Sequence, residues 1–246
     1  MKRFKLVVAY DGAKYSGWQI QPNGVTIEEK LNTAITKVLG VPTRVVGASR
    51  TDAGVHAKGN VAIFDGTTTI PSERLSYAIN QHLPNDIVVT SSQEVPADWH
   101  PRFQASQKTY RYYIQHSKMP NPLTRRNHYW VSHDLDFDAM EKVARSFVGT
   151  YDFCNFCRLE ATSKDTTRQI YRSFLSKTED GFFFEVVGSG FLYNMVRMMV
   201  GAVIGAGRGD LSFEDVRSML TDADSAFPRV TLPAHALVLV GIKYGE

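Results

Sequence analysis

Thr43-Arg44-Val45-Val46, then Gly47-Ala48-Ser49-Arg50-Thr51-Asp52-Ala53-Gly54-Val55-His56-Ala57, then Asn60-Val61-Ala62-Ile63-Phe64, is the stretch from which the fold is read. Two runs rich in β-branched residues flank a segment of small residues punctuated by glycine. That is the pattern of strand, loop, strand. The loop carries Arg50, Asp52 and His56 close together. A plain connection has no use for a cation, a carboxylate and an imidazole at that spacing. Two readings stand at this point: a solvated turn in which Asp52 bonds its own backbone, or a site in which the carboxylate does chemistry.

Outward from that stretch, Arg3 to Ala9 reads as a strand, alternating basic and apolar before becoming wholly apolar. Thr26 to Leu39 places Ile27, Leu31, Ala34, Ile35, Val38 and Leu39 at helical spacing. Thr26 is its expected N-cap, Glu29 stands three residues on, and Gly40 stops it. Pro71 to His82 reads as a second helix and Ile87 to Ser91 as a further strand. The order strand, helix, strand, strand, helix, strand is the split βαβ, ferredoxin-like arrangement. The second half offers a long strand over Ser106 to His116 and a helix over Phe137 to Phe147. Strands over Thr166 to Ser176 and Gly181 to Val187 meet at the hairpin signal Glu179-Asp180-Gly181. Helices over Phe191 to Ala206 and Ser212 to Leu220 and a strand over Ala236 to Tyr244 complete it. The expected class is α+β, with two ferredoxin-like-type halves whose antiparallel sheets flank a central active-site cleft. Residues 1–104 would form the first domain and 105–246 the second. The glycines of Gly205-Ala206-Gly207-Arg208-Gly209 follow a helix instead of opening one, so they read as a helix stop and not a phosphate loop.

The chain has 246 residues, 43% hydrophobic and 22% charged, which is ordinary for a globular protein. A formal net charge of +3 hints only weakly at a polyanionic partner, so the argument turns on where the charge sits. The apolar run Leu6 to Tyr10 is too short for a signal peptide. Phe191 to Ala206 contains Asn194 and Arg197 and falls short of the roughly 20 apolar residues a membrane span needs. A cytoplasmic protein with no membrane association is expected. The two cysteines, Cys154 and Cys157, form a C-x-x-C. A redox pair, a zinc site completed by His128 and His133, and two small hydrophobes in a reduced compartment are its three readings.

Between Asp98 and Asp134 no acidic residue occurs. Arg102, Lys108, Arg111, Lys118, Arg125 and Arg126 lie there, interleaved with Trp99, Phe103, Tyr110, Tyr112, Tyr113, Tyr129 and Trp130. Positive charge with aromatics suits a phosphate backbone and stacked bases. It equally suits a basic strand face with the aromatics turned into a core. Arg197 stands inside an apolar helix, with Tyr193, Asn194, Val200 and Gly201 at helical spacing. A guanidinium there needs an anion. Glu185 and Asp52 are the two candidates; pairing with Asp52 would hold that carboxylate ionised and nucleophilic.

Arg50-Thr51-Asp52-Ala53-Gly54-Val55-His56-Ala57 resembles the signature of the tRNA pseudouridine synthase A family. The resemblance spans nearly the whole chain. Tyr10-Asp11-Gly12 with Tyr15-Ser16-Gly17-Trp18-Gln19 is similar to the family's first block. Asn80, Leu83-Pro84 and Asp86-Ile87 resemble its second helix exit, and Lys108-Thr109-Tyr110-Arg111-Tyr112 its tyrosine motif. Gly190-Phe191-Leu192-Tyr193-Asn194-Met195-Val196-Arg197 looks like its arginine helix, and Pro233-Ala234-His235 its C-terminal block. Ser49 and Ala236 stand where the family usually has glycine, and Val25-Thr26-Ile27-Glu28 departs from its common form.

The resemblance implies an isomerase that converts uridine to pseudouridine at tRNA positions 38 to 40, in the anticodon arm, without metal or organic cofactor. It implies a homodimer with one tRNA contacting both subunits. Asp52 would be the catalytic aspartate, Tyr110 would stack on the target uracil, and Arg197 would pair with Asp52. Arg50 would occupy the space left when the base swings out. Lys108, Arg111, Lys118, Arg125 and Arg126 are candidate contacts to the RNA backbone. The aspartate could attack C1′, attack C6 or deprotonate C2′. A non-catalytic RNA-binding module would keep the basic aromatic stretch but has no need of Asp52. A nucleoside hydrolase, a third reading, would be expected to show clustered aspartates on a calcium site.

Overall fold

The computed structural model describes residues 1–158, 165–223, 225 and 227–245. The chain divides into two units, residues 1–106 with 238–246, and residues 107–237.

In the first unit, β1 (Lys2–Tyr10), β3 (His56–Gly66) and β4 (Ile87–Val95) form an antiparallel sheet in the order β4-β1-β3. The short β2 (Val46–Gly47) adds to β3 in antiparallel register. With α1 (Ile27–Leu39) and α2 (Leu75–Asn80), this is the ferredoxin-like order expected from the sequence. Alternation places Phe4, Leu6, Val8 and Tyr10 of β1 on the buried side, and α1 contributes Ile27, Leu31, Ala34 and Ile35 to the core. Thr26 caps α1 through its side chain, which accepts from Glu29 N, and Gly40 ends it in the left-handed conformation at φ 73°. The expected helix over 71–82 is shorter: a 3-10 turn at Ser72–Arg74 precedes the six residues of α2.

The last strand, β10 (Leu237–Tyr244), pairs in parallel with the start of β3 through Val238↔His56 and Leu239↔Ala57. Residues 238–246 therefore cluster with the first unit, although the sequence order had grouped them with residues 105–237.

The second unit has a sheet in the order β6-β5-β9-β8-β7, built from β5 (Ala105–His116), β6 (Tyr129–Val131), β7 (Gly149–Asp152), β8 (Thr167–Thr178) and β9 (Gly181–Gly188). The β8–β9 hairpin turns at Glu179-Asp180, as its sequence indicates. Tyr112, Phe184 and Val186 are buried on the face that carries α3 (Phe137–Ser146) and α4 (Met195–Arg208). At Gly207 a Cβ would sit 2.6 Å from Met140 Cγ, so the missing side chain lets α3 and α4 close on each other. Gly209, left-handed at φ 77°, is the stop. Ser212 and Asp215 cap α5 (Phe213–Thr221) reciprocally. Among the described residues no helix is long and apolar enough to cross a membrane.

Candidate functional site

The candidate residues divide between the units. Asp52 and Arg50 belong to the first, and Tyr110, Arg197 and the basic residues of 108–126 to the second.

Asp52 sits half-buried in the loop between β2 and β3, with Ser49, Thr51, Val55 and His56 buried around it. The loop is held from outside. Trp18 N donates to Thr51 O (3.1 Å), and Gly54 N to Tyr15 O (3.2 Å). Tyr10 Oη and Thr51 Oγ1 share a hydrogen bond of 2.8 Å, and Asn60 Nδ2 donates to Ser49 O (2.9 Å) and to Tyr10 Oη (3.2 Å). Two glycines make these approaches possible. A Cβ on Gly12 would collide with the Val55 carbonyl. A Cβ on Gly17 would lie 2.6 Å from Thr51 O, and its φ of +90° is one that L side chains rarely adopt. The segment Tyr10 to Gln19, read from sequence only as a likeness, is thus the mould of the Asp52 loop. Ser49, in place of the usual glycine, keeps its side chain buried and offers its carbonyl to Asn60. Behind the mould, Tyr15 Oη donates to Asp86 Oδ1 (2.5 Å), and burial together with that carboxylate pushes the phenol pKa up. Arg50 is exposed beside Asp52.

In the second unit Tyr110 is buried on β5, its ring edge-on to Phe191 at 5.1 Å and 81°. Phe191 lies in the turn that leads into α4, so the expected helix start at Phe191 moves to Met195. The cause is Asn194, which takes the left-handed conformation at φ 64°. Asparagine tolerates that region better than most residues. Its Oδ1 accepts from Arg197 Nη1 (2.8 Å), while Arg197 Nε donates to Leu232 O (2.6 Å). Gly201, one turn on, has no Cβ where the Val230 carbonyl approaches. Tyr112 Oη donates to Pro233 O (2.8 Å), and burial raises its pKa. The segment from Val230 to Pro233 is thereby fastened to both α4 and β5. Asn194 and Leu232, which bond Arg197, and Gly201, which admits the Val230 carbonyl, are not among the candidates the sequence offers; the glycine one turn from an arginine in an apolar helix is the available signal.

Glu185, one of the two anions considered for Arg197, is 2% exposed and is bonded by Arg111 Nε (2.5 Å) and Arg172 Nη2 (2.6 Å). Each guanidinium also covers a ring, Arg111 over Phe183 at 4.7 Å and Arg172 over Phe174 at 5.1 Å. Strand alternation turns Arg111 to the face opposite Lys108 and Tyr110. Lys108 is half-buried, and Lys118, Arg125 and Arg126 are exposed on the segment between β5 and β6. Cys157 is buried and Cys154 half-buried, and burial raises the Cys154 pKa. Among the described residues no three His, Cys, Asp or Glu side chains come together as a metal site.

The family model described as tRNA pseudouridine synthase matches residues 6–104 and 143–245. A protein named tRNA pseudouridine synthase A from Acetivibrio thermocellus is 41% identical over 244 residues, covering 99% of this chain and all of that relative. Proteins of the same name from Exiguobacterium sp. and Geobacter sp. are each 40% identical, over 99% and 100% of this chain and 98% and 100% of their own lengths. A solved structure of an H/ACA RNP bound to a substrate RNA containing 2'-deoxyuridine is 12% identical, with a TM-score of 0.40 over 82% of this chain and 44% of that one. A likeness at that level carries no weight beside the sequence relatives.

Proposed function

The chain belongs to the tRNA pseudouridine synthase A family, isomerases acting on tRNA, and from that premise we propose that Asp52 is its catalytic carboxylate. The observation that carries the reading is the fixing of the Asp52 loop by Tyr10, Trp18 and Tyr15, with no side chain at Gly12 or Gly17 to hold them off. Positioning to a fraction of an ångström is what a reacting carboxylate requires.

The isomerisation breaks the N1–C1′ bond and forms the C5–C1′ bond. The C5 hydrogen leaves as a proton and N1 gains one, so no redox carrier is needed. The uridine, at positions 38 to 40 of the anticodon stem-loop, must first leave its stack, which costs a few kcal/mol. In this reading Arg50 fills the space the base vacates, Tyr110 offers a ring face, and Arg197 is the cation assigned to the carboxylate. These three roles rest on the family resemblance. The rigid settings of Tyr110 against Phe191 and of Arg197 between Leu232 and Asn194 support them. Lys108, Lys118, Arg125 and Arg126 contact phosphates, and Arg111, committed to Glu185, contributes least. The working form is a cytoplasmic homodimer.

Release of tritium from tRNA labelled at uracil C5 tests the proposal directly. Asp52→Asn should abolish release while tRNA affinity stays within a few-fold of the parent. Release near the parental rate would remove Asp52 from the mechanism.

A further inference from the structure

Between β5 and β6, residues 117–128 carry Lys118, Arg125 and Arg126 and no acidic residue. Their shape is set above all by one buried side chain. Gln115 Nε2 donates to Ser117 Oγ (2.7 Å) and Met119 O (3.2 Å). Its Oε1 accepts from Asn121 N (3.1 Å) and Thr124 Oγ1 (3.0 Å). Both donors and both lone pairs of the amide are spent on this loop. Asn121 Oδ1 accepts from Leu123 N (3.0 Å), Arg125 Nη1 donates to Pro122 O (2.8 Å), and Trp130 Nε1 donates to Ser117 O (2.9 Å). A loop so bonded is ordered before a partner arrives, and that removes part of the entropy cost of binding.

On this fixed frame Met119 is 78% exposed and Leu123 88%. Neither serves the core, and large apolar side chains held in water beside three cations call for a partner that is both anionic and apolar-faced. We propose that Met119 and Leu123 form a wedge against the faces of unstacked tRNA bases, while Lys118, Arg125 and Arg126 hold the phosphates around them. Apolar side chains at opened base steps, flanked by basic residues, are an established way of gripping bent or splayed nucleic acid. A second copy of this loop is a poor alternative, because it would bring three cations against three. The inference rests on the reading of this loop as a phosphate-binding element and adds the nucleobase contact to it.

Two variants separate the wedge from the reading beneath it: Met119→Ser with Leu123→Ser, and Lys118→Gln with Arg125→Gln and Arg126→Gln. The probe is an unmodified tRNA transcript with 2-aminopurine in the anticodon loop. The apolar variant should raise Kd and KM about ten-fold, the loss expected for one large apolar contact. It should lose the fluorescence rise that accompanies unstacking, keep its thermal midpoint, and leave the slope of log Kd against log salt unchanged. Leu123→Met in place of Leu123→Ser should restore binding. The basic variant should flatten that slope by roughly 0.7 to 0.9 for each phosphate no longer neutralised. Wild-type Kd and fluorescence in the apolar variant would overturn the wedge even with the basic variant behaving as stated. An unchanged slope in the basic variant would remove the phosphate reading, and the wedge with it. Conversion of a dimer to a monomer by the serine substitutions would make these side chains a protein interface and end the proposal.

Discussion

The Asp52 loop and the 117–128 loop are held in opposite ways. The first owes its shape largely to neighbours far away in sequence, main-chain bonds from Trp18 and to Tyr15 and a phenol at Tyr10, joined by the amide of Asn60 on the adjoining strand. The second owes its shape to residues within it or close by, above all the amide of Gln115, with Asn121 and Trp130 adding to it. A loop held by dispersed main-chain contacts tolerates the trimming of any one side chain but not an added atom where backbones meet. A loop held above all by one amide has the reverse weakness. The difference suits the proposed tasks, since a reacting carboxylate needs fixed geometry and a surface that grips an RNA needs a stable outline.

The sharpest way to break this comparison is Gly17→Ala. The new Cβ meets Thr51 O at a backbone angle already unfavourable for alanine. We expect kcat for tritium release to fall on the order of 100-fold, as misplacement of a reacting group by about 1 Å allows. Kd for tRNA should stay within a few-fold; a kcat near the parent's would show that the mould is not needed. Next in size is Gln115→Leu, which leaves the loop's donors and acceptors without their shared partner. It should raise KM for tRNA by roughly ten-fold with kcat retained, and lower stability by about 1–3 kcal/mol. Kinetics with a thermal melt checks both, and a fall in kcat at constant KM would mean that Gln115 serves the chemistry instead.

The smallest expected effect concerns His128, at the exit of the second loop. Its Nδ1 lies 2.8 Å from Asn127 Oδ1, and burial holds its pKa below the ordinary histidine value, with Asp180 opposing. The folded state therefore binds this proton less readily than the unfolded chain. The corresponding stability is complete above the unfolded value of about 6.5 and is lost as pH falls from there toward the folded value. Between pH 7.5 and 5.5 the parent should lose more thermal stability than His128→Gln. The gap should be under roughly 4 °C, the shift that about 1 kcal/mol produces in a chain of this length. Equal losses would show that His128 carries no proton linkage.

Local signals were legible where local physics decides. The cap at Thr26, the stop at Gly40 and the hairpin at Glu179-Asp180 stand where the sequence put them. The apolar run over 191–206 looks like one continuous helix, but the helix starts only at Met195, and nothing in the composition around Asn194 announces its left-handed φ. The strand expected from Asn60 starts at His56, because Ala57, Lys58 and Gly59 lack β-branching and are ordered by neighbouring strands. β6 and β7, of three and four residues, are too short to show a period. Within the candidate site, Asp52 stands out in the sequence as a candidate because three chemically active side chains crowd one small-residue loop. The mould around it was not, since hydrogen bonds from Trp18 to Thr51 and from Gly54 to Tyr15 join positions whose spacing in the chain encodes no contact. Arg111 looked like its basic neighbours and differs only in having Glu185 across the ladder, a pairing set by strand register.

The short parallel ladder of Val238 and Leu239 on His56 and Ala57 has a consequence for how the protein is made. The strand that carries His56 leaves the ribosome about 180 residues before the partner for its first residues. The unit that holds Asp52 is therefore interrupted by residues 107–237 and closed only after them. Until then the start of that strand keeps an unfilled edge, able to accept the wrong strand from a neighbouring nascent chain. A stop codon just before residue 237 would yield a chain that retains every residue assigned to catalysis and still never finishes the sheet beneath its aspartate.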